Sequence, residues 1–219
     1  MAAHPMALNL TPERGLLFRI THIVNLPWLL SNGLHCSNGA AVDPNFVAIG
    51  NPDLIAKRAR RTVPLLPGGT LADYIPFYFT PKSPMLLNIK TGYSGITQRL
   101  NKDIVILVSS CQTMSNKGVS MLFADRHAYA ATAAWSGDHN DLAEMLDWDI
   151  LRQNDFARDD AYPDKMERYQ AEALAHRYVP PNALLGIGCV SEPIKLAVEK
   201  HVFDAGLALA VFVRPGWYF

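Results

Sequence analysis

One apolar segment constrains the fold more than any other. Residues 103–110 have the sequence Asp-Ile-Val-Ile-Leu-Val-Ser-Ser, which is almost entirely β-branched or apolar. Continuous apolar character without alternation is typical of a strand buried on both faces. The segment therefore predicts a central strand, with residues 119–125 as its neighbour. Further strands are predicted at 16–23, 184–190 and 208–213, with a helix at 194–201 between the last two.

Size and charge limit the classes of protein to which the chain can belong. Its 219 residues fit a single domain covering residues 1–219, and 49% hydrophobic with 18% charged residues indicate a globular protein with a sizeable core. Lys plus Arg and Asp plus Glu both number 20, so the net charge is zero. Proteins that bind nucleic acid along an extended track are more often basic. Any contact with DNA must therefore be local.

Cysteine spacing and the lack of long apolar segments narrow the choice further. Cys36, Cys111 and Cys189 are widely spaced and form no Cys-x-x-Cys pair, so we expect reduced core thiols and no metal site. Residues 1–14 lack the charged and then apolar pattern of a signal peptide. No segment approaches the roughly 18 apolar residues of a membrane span. We expect a cytoplasmic protein with no membrane partner.

A basic helix is predicted from residue 52 to residue 61. Asn51 is a suitable N-cap and Asp53 lies in the first turn, where a carboxylate is favourable. The segment ends in four cations, Lys57, Arg58, Arg60 and Arg61. They can form a solvated face, a general phosphate-binding patch, or a clamp on the pyrophosphate of a dinucleotide, for which arginine offers bidentate geometry.

Aromatic residues bracketed by prolines follow at 73–86. Prolines disfavour a central strand, so this segment predicts an edge strand or a shaped loop. Phe77, Tyr78 and Phe79 can pack in the core or form a stacking wall. In an extended chain Tyr78 faces away from its two neighbours, so one side can be core and the other a cleft.

Polar residues occur where apolar segments end, which is a common position for functional side chains. Thr21 and His22 lie near the end of the first strand, although a hydrogen-bonded core residue is the preferred interpretation of a lone histidine there. Asp125, Arg126 and His127 end the strand at 119–125, where a turn capped by Asp125 is the alternative. A short helix near Leu142 to Leu146 and a mobile loop are predicted to follow.

Gln170 and Glu172 precede the apolar residues 173–175. Alternation with a period of two would point both side chains to one side, facing a cleft. A carboxylate there can stabilise the positive charge that develops when a nicotinamide–ribose bond breaks, and the amide can hold an acceptor. An ordinary surface glutamate is the alternative, because Gln-x-Glu is common.

Together these segments resemble the DarT family, the DNA ADP-ribosyltransferase toxins of DarT–DarG toxin–antitoxin systems. The similar segments run in family order almost from end to end. They are Ile20-Thr21-His22-Ile23-x-Asn25-Leu26, the basic stretch before Val63-Pro64, Asp73-Tyr74-Ile75-Pro76-Phe77-Tyr78-Phe79, Pro81-Lys82-Ser83-Pro84-Met85-Leu86, Phe123-Ala124-Asp125-Arg126-His127, Gln170-Ala171-Glu172 and Trp217-Tyr218-Phe219.

The resemblance implies an α+β fold of the ADP-ribosyltransferase type, with two packed β-sheets around an NAD cleft and peripheral helices. It implies transfer of ADP-ribose from NAD, the co-substrate, to N3 of thymine in a short motif of single-stranded DNA, with release of nicotinamide. The expected partners are single-stranded DNA and a DarG-type macrodomain antitoxin.

The resemblance also implies roles for individual residues. Glu172 matches the catalytic glutamate and Arg58 the catalytic, NAD-contacting arginine, counted back from Val63-Pro64. Tyr78 matches an aromatic of the nicotinamide pocket and contributes to substrate binding, and His127 and Gln170 lie on the acceptor side. The remaining cofactor-binding residues implied are Phe18, Arg19, Ile20, Thr21 and His22. Some relatives carry histidine where this chain has Arg19.

Two other functions remain compatible with these residues. Transfer to a different acceptor, either another base or a protein, would use the same NAD half-site. A non-catalytic single-strand binder could use Phe77, Tyr78, Trp135 and the basic stretch for stacking and phosphate contacts. Neutral charge and the presence of Glu172 disfavour the binder. Release of nicotinamide in the presence of DNA would separate a catalyst from a binder.

Overall fold

The structure is a computed structural model that describes residues 8–157 and 159–219. Part of the N-terminal stretch in which no targeting segment is predicted therefore lies outside the described residues. The strands are β1 Leu16–His22, β2 Leu34–His35, β3 Tyr74–Tyr78, β4 Ile104–Ser110, β5 Met121–Ala124, β6 Trp135–Ser136, β7 Glu172–His176, β8 Tyr178–Val179, β9 Gly186–Cys189 and β10 Ala210–Val213.

Helices connect and cover these strands. The α-helices are α1 Leu26–Asn32, α2 Pro52–Arg58, α3 Pro84–Thr91, α4 Cys111–Asn116, α5 Leu142–Met145, α6 Trp148–Gln153, α7 Lys165–Arg168 and α8 Glu192–Asp204. In the described part of the chain, no helix is long and apolar enough to span a bilayer. The predicted helix at 194–201 is confirmed as the centre of α8.

The main sheet has eight strands in the order β10-β9-β4-β1-β3-β7-β5-β6, and β2 pairs with β8 in a second, two-stranded sheet. Strand β4 is buried at every position and lies between β1 and β9, as predicted for a central strand. Strands β1 and β4 pair along their whole length, and so do β3 and β7. In contrast, β1 and β3 pair only at Phe18 and Tyr78. The sheet thus consists of two four-stranded halves that meet at one residue pair.

The inner position of β3 contradicts the prediction of an edge strand or shaped loop. Its proline is tolerated because the edge of β3 that faces β1 is almost unpaired. The carbonyl oxygen of Pro76 accepts a hydrogen bond from Nη1 of Arg19 at 2.8 Å. The nitrogen and oxygen of one residue point to the same edge of a strand, so the missing N–H of Pro76 costs no ladder bond.

The predicted pairing of the 119–125 strand with the central strand is also wrong. Strand β5 pairs with β7 and β6, in the other half of the sheet. Both edges of β4 are already occupied by β1 and β9. After α4 the chain therefore crosses to the other half of the sheet. As a result, β4 and β5 are consecutive in sequence but do not pair.

The segment 129–164, predicted as one short helix and a mobile loop, contains two short α-helices, α5 and α6, and α7 follows it. The part between α6 and α7 is tied back to the protein through Asp155 and through the ring of Phe156, which packs on Tyr169 and Phe219. The buried ammonium group of Lys165 lies 2.5 Å from Oδ2 of Asp155, and the hydroxyl of Tyr169 accepts a hydrogen bond from the backbone N–H of Asp155. This segment leads directly to the start of β7.

The C-terminal residues close the sheet on the side of β9. Trp217 packs edge-on against Phe18, with ring centroids 5.4 Å apart. A Cβ atom on Gly188 would lie 2.7 Å from the Trp217 ring, and one on Gly186 would lie 2.7 Å from the Phe212 ring. These two glycines therefore serve aromatic packing. The three cysteines are buried and unpaired, as predicted.

Candidate active site

A row of three side chains crosses the junction between the two halves of the sheet. Phe18 on β1 lies opposite Tyr78 on β3, and Tyr78 lies opposite Glu172 on β7. Directly opposed residues place their side chains on the same face of a sheet. All three are buried, and Glu172 is only 1% exposed. Strand pairing therefore places one carboxylate beside two aromatic rings, at the junction where β1 and β3 pair at only one position.

Helix α2 brings Arg58 to this carboxylate. The helix starts as predicted, because the side chain of Asn51 accepts a hydrogen bond from the N–H of Leu54. It ends at Arg58, three residues earlier than the sequence suggests. Nη1 of Arg58 lies 3.0 Å from both carboxylate oxygens of Glu172, and Nη2 lies 3.1 Å from Oε2. The guanidinium fork and the carboxylate form a bidentate, largely desolvated ion pair.

The other cations of the basic stretch do not share this position. Arg60 is exposed at the end of the helix. Arg61 turns to a different segment, where its Nη2 donates to the carbonyl oxygen of Ala130 at 3.3 Å. Contact with Glu172 therefore distinguishes Arg58 from Arg60 and Arg61 in the structure. In the sequence, only the distance from Val63-Pro64 distinguishes them.

His127 approaches Glu172 from the turn after β5. Its Nδ1 accepts a hydrogen bond from the backbone N–H of Tyr129 at 3.1 Å, which leaves Nε2 as the protonated nitrogen of the neutral ring. Nε2 lies 3.6 Å from Oε1 of Glu172. Burial lowers the pKa of His127 below its ordinary value, against the opposing effect of the nearby Glu172 carboxylate. The ring is therefore neutral at pH 7 and presents an N–H to the carboxylate.

Arg19 and Tyr78 complete the charged environment. Burial lowers the pKa of Arg19 to about 10, so this side chain still carries its positive charge at pH 7. Burial, with a smaller contribution from Glu172, raises the pKa of Tyr78, which keeps the phenol protonated. Its hydroxyl lies 3.7 Å from the sulfur of Met85. Two guanidinium groups thus accompany one carboxylate in the cleft.

The remaining residues of β1 make contacts within the protein. The hydroxyl of Thr21 accepts from the amide of Asn25, and Nδ1 of His22 accepts from the N–H of Val24. Ile20 is a core residue. The alternative of a hydrogen-bonded core histidine describes His22 correctly, and NAD contacts by Ile20, Thr21 and His22 stay a prediction.

Gln170 does not follow the alternation on which its predicted orientation depends. Strand β7 begins at Glu172, and Gln170 lies in the turn after α7. Its amide donates to the carbonyl oxygen of Met166. Strand alternation therefore does not relate the directions of Gln170 and Glu172, and the role of Gln170 stays a prediction.

The structure adds Asn25, which sequence analysis does not single out. Its side chain is 1% exposed and pairs with the backbone of Val47 in both directions, Nδ2 to the carbonyl oxygen at 3.0 Å and Oδ1 from the N–H at 2.8 Å. This contact fixes the irregular segment that leads into α2. The position of Asn25 within the Ile-Thr-His-Ile-x-Asn-Leu segment is the one signal that could have drawn attention to it.

The donors of this cleft suit a dinucleotide. Arginines can bind a diphosphate, aromatic rings can stack on a nicotinamide, and a buried carboxylate can stabilise a ribosyl cation. Within residues 8–157 and 159–219, no group of three or more His, Cys, Asp or Glu side chains could hold a metal ion. The side chains of this cleft can act by charge stabilisation and hydrogen bonding.

Comparison with known proteins agrees with this geometry. A family model described as ssDNA thymidine ADP-ribosyltransferase, DarT, matches residues 18–219. A DNA ADP-ribosyl transferase of Escherichia coli O127:H6 (strain E2348/69 / EPEC) is 46% identical over 217 residues, which are 99% of each chain. The structure of Thermus sp. 2.9 DarT in complex with ADP-ribosylated ssDNA superposes with a TM-score of 0.87 at 32% identity, covering 95% of this chain and 98% of that one.

The Thermus sp. 2.9 DarT complex with NAD+ has a TM-score of 0.81 at 33% identity, covering 95% of this chain and 99% of that one. These matches confirm the predicted α+β fold of the ADP-ribosyltransferase type. In this chain the two halves of the main sheet are joined at Phe18 and Tyr78. The chain belongs to the DarT family, the ssDNA thymidine ADP-ribosyltransferases.

Proposed function

We propose that this protein transfers ADP-ribose from NAD to N3 of thymine in a short motif of single-stranded DNA, with Glu172 and Arg58 as the catalytic residues. The observation that carries the proposal is the buried bidentate pair of Arg58 and Glu172 beside the Phe18–Tyr78 junction. Membership of the DarT family supports the reaction class and the acceptor.

Glu172 stabilises the ribose as the bond from its C1′ to nicotinamide breaks. Positive charge then develops on the sugar, and a carboxylate that is 1% exposed acts on it through a poorly solvated environment. Nicotinamide leaves as a neutral molecule with the bonding electron pair. Phe18 and Tyr78, adjacent to Glu172 in the sheet, suit the nicotinamide end of NAD.

The acceptor nitrogen must lose a proton as it bonds to C1′. Thymine N3 is a weak nucleophile while protonated. His127 is a poor base for this step, because its Nδ1 lone pair is already used by the N–H of Tyr129 and its Nε2 carries the proton. We therefore assign the N3 proton to the Glu172 carboxylate, from which it passes to solvent. His127 instead donates toward Glu172 and the acceptor base.

Arg58 has two tasks in this mechanism. Its guanidinium fork orients the Glu172 carboxylate, and the remaining N–H groups of the guanidinium can bind a phosphate of NAD or polarise a carbonyl of the acceptor base. Lysine cannot reproduce both contacts, since it is a single-point donor. Arg19, which stays charged, is a second cation whose charge acts on Glu172.

A single strand is the form of DNA that this site can use. N3 of thymine lies inside the base pair, and extruding a base costs on the order of a few kcal/mol. A net charge of zero gives no extended basic track to offset that cost. A short unpaired motif that enters beside His127 and Gln170 is consistent with both facts.

The test offers labelled NAD to four acceptors: a thymine-containing single-stranded oligonucleotide, its duplex, the matching RNA and bulk protein. We expect strong labelling of the first alone, with release of nicotinamide. A single strand without thymine should stay unlabelled. Equal labelling of the duplex, or labelling of protein alone, would contradict the proposed acceptor.

We also propose that a DarG-type macrodomain antitoxin opposes this activity, as the resemblance to DarT–DarG systems implies. Such a partner would remove ADP-ribose from the modified thymine. Modified oligonucleotide incubated with a DarG-type macrodomain should return to its original mass. Persistence of the adduct would contradict the proposed partner but not the proposed transferase activity.

A further inference from the structure

Arg126 sits between the two segments that carry the acceptor side of the site. It lies two residues after the end of β5 and directly precedes His127 in sequence. Its guanidinium group binds Asp125 on one side, with Nε at 3.2 and 3.1 Å from the two carboxylate oxygens and Nη2 at 3.0 Å from Oδ2. This contact holds the arginine within the turn that carries His127.

The same guanidinium reaches the segment that leads into Glu172. Nη1 of Arg126 donates to Oε2 of Glu167 at 3.2 Å, and Nη2 lies 3.9 Å from Oδ2 of Asp164. Glu167 belongs to α7, and Asp164 precedes that helix. One planar group therefore connects the turn after β5 with the helix that ends just before β7.

The turn is held at further points. Oδ1 of Asp125 accepts from the N–H of Ala134 at 2.8 Å, which closes the turn, and Arg61 donates to the carbonyl oxygen of Ala130 within it. The Arg126 guanidinium binds both Asp125 in the turn and Glu167 in α7. Loss of the Arg126 side chain would therefore release the turn from α7, while the Asp125–Ala134 and Arg61–Ala130 contacts remain. His127 would then lose its fixed direction toward Glu172.

Charge decides between this role and direct binding of DNA. Arg126 is surrounded by three carboxylates, those of Asp125, Asp164 and Glu167, and its side chain is 15% exposed. The local net charge is negative, which repels a phosphate. The hydrogen bonds that Arg126 donates to Asp125 and Glu167 raise its pKa, so the group remains a cation committed to its protein partners.

We propose that Arg126 is a positioning residue that holds the His127 turn against α7, and so directs ADP-ribose to DNA in preference to water. This inference rests on the proposed function. In the competing reaction, water attacks C1′, nicotinamide leaves, and free ADP-ribose and a proton are formed. A loosened turn would admit water where the acceptor base should lie.

The test compares Arg126→Gln with Arg168→Gln, a matched control. Arg168 also pairs with Asp164, at 2.9 Å, but does not bind Asp125 or Glu167 among the interactions of the described residues. For each variant, total nicotinamide release, DNA adduct and free ADP-ribose are measured at varied NAD and DNA concentrations. Melting temperature and the salt dependence of DNA binding are measured in parallel.

For Arg126→Gln we expect kcat for DNA transfer to fall about 10- to 100-fold, the size of effect that a misplaced acceptor produces. The KM for NAD should stay within about twofold, because binding of NAD precedes the defect. The fraction of nicotinamide release that ends as free ADP-ribose should rise. Arg126→Lys, which keeps the charge but not the fork, should fall between wild type and Arg126→Gln.

Three results would overturn the inference. An equal fall in hydrolysis and transfer would make the role merely structural. A shallower salt dependence of DNA binding would make Arg126 a phosphate contact. A fall of the same size in Arg168→Gln would remove the special status of Arg126. If Arg126→Gln does not fold, Glu167→Gln must shift the product ratio in the same direction. Failure of the wild type to modify DNA would instead count against the proposed function.

Discussion

The guanidinium group of Arg58 contacts both carboxylate oxygens of Glu172 although the two residues are 114 positions apart in sequence. One residue ends helix α2 and the other begins strand β7. Each is placed by its own local structure, and the pair exists only because both termini point at the junction of the two half-sheets. The proposed catalytic centre is therefore a product of tertiary structure.

Replacement of Arg58 tests whether its bidentate contact with Glu172 contributes to the reaction. Arg58→Lys keeps the charge but loses the fork, and a hydrogen bond to a charged group contributes about 1.5–3 kcal/mol, which corresponds to about 10- to 150-fold in rate. We expect a loss of that size in kcat/KM for NAD. Arg60→Lys is the matched control, since Arg60 is exposed, and it should stay close to wild type. Equal losses in both variants would show that Arg58 has no special role.

Asn25 provides a test of how the NAD side is held. Asn25→Asp conserves shape but replaces the Nδ2 donor, which binds the Val47 carbonyl and the Thr21 hydroxyl, with an acceptor. The unsatisfied buried groups should cost about 1–3 kcal/mol, and each kcal/mol lowers Tm by about 2–4 °C in a protein of this size. The KM for NAD should rise, because the released segment leads into α2.

The matched control for this change is Asn32→Asp. Asn32 also donates from its amide to one backbone carbonyl, that of Trp28, but at an exposed position. Its effect on stability should stay within about 0.5 kcal/mol. A larger loss of stability in Asn32→Asp than in Asn25→Asp would contradict the importance of the Asn25–Val47 contact.

The ionisation of His127 predicts a pH dependence of stability. Its folded-state pKa is lowered by burial, so below about pH 6.5 the unfolded chain binds a proton that the folded chain does not. Acidification through this window should therefore destabilise the wild type more than His127→Gln. His22 and His176, whose pKa values burial also lowers, are present in both proteins and cancel in the comparison.

Urea unfolding of both proteins at pH 7.5, 6.0 and 5.0 checks this prediction. The free energy of unfolding of the wild type, relative to the variant, should decrease as the pH falls. An increase would mean that the ion pair between protonated His127 and Glu172 outweighs the cost of burying the charged ring.

Local sequence patterns predict the positions of many helices and strands. They do not predict strand order or contacts between distant segments. The apolar run of β4 and the Asn51 cap of α2 depend on neighbours in sequence, so they were predicted correctly. The partner of β5 and the inner position of β3 depend on which strand edges other segments occupy. No local pattern reports that Arg19 would satisfy the carbonyl of Pro76.

The candidate site divides in the same way. Family resemblance singled out Arg58, Glu172 and His127, which the structure brings together. The contacts of Asn25 and Arg126 join segments that are far apart in sequence. They can therefore be identified only from the three-dimensional structure. Alternation predicts that Gln170 faces the cleft, but β7 starts two residues after it, so the alternation does not extend to Gln170.

The central claim is that Glu172 is the catalytic carboxylate of ADP-ribosyl transfer to thymine. The most direct test incubates wild type and Glu172→Gln with NAD and a thymine-containing single-stranded oligonucleotide, followed by mass analysis of the oligonucleotide and quantification of nicotinamide. Glutamine keeps the shape but removes the charge and the proton acceptor, so we expect a loss of at least about 100-fold in adduct formation. NAD binding measured in parallel should show that the variant remains folded. Full adduct formation by Glu172→Gln would contradict the account.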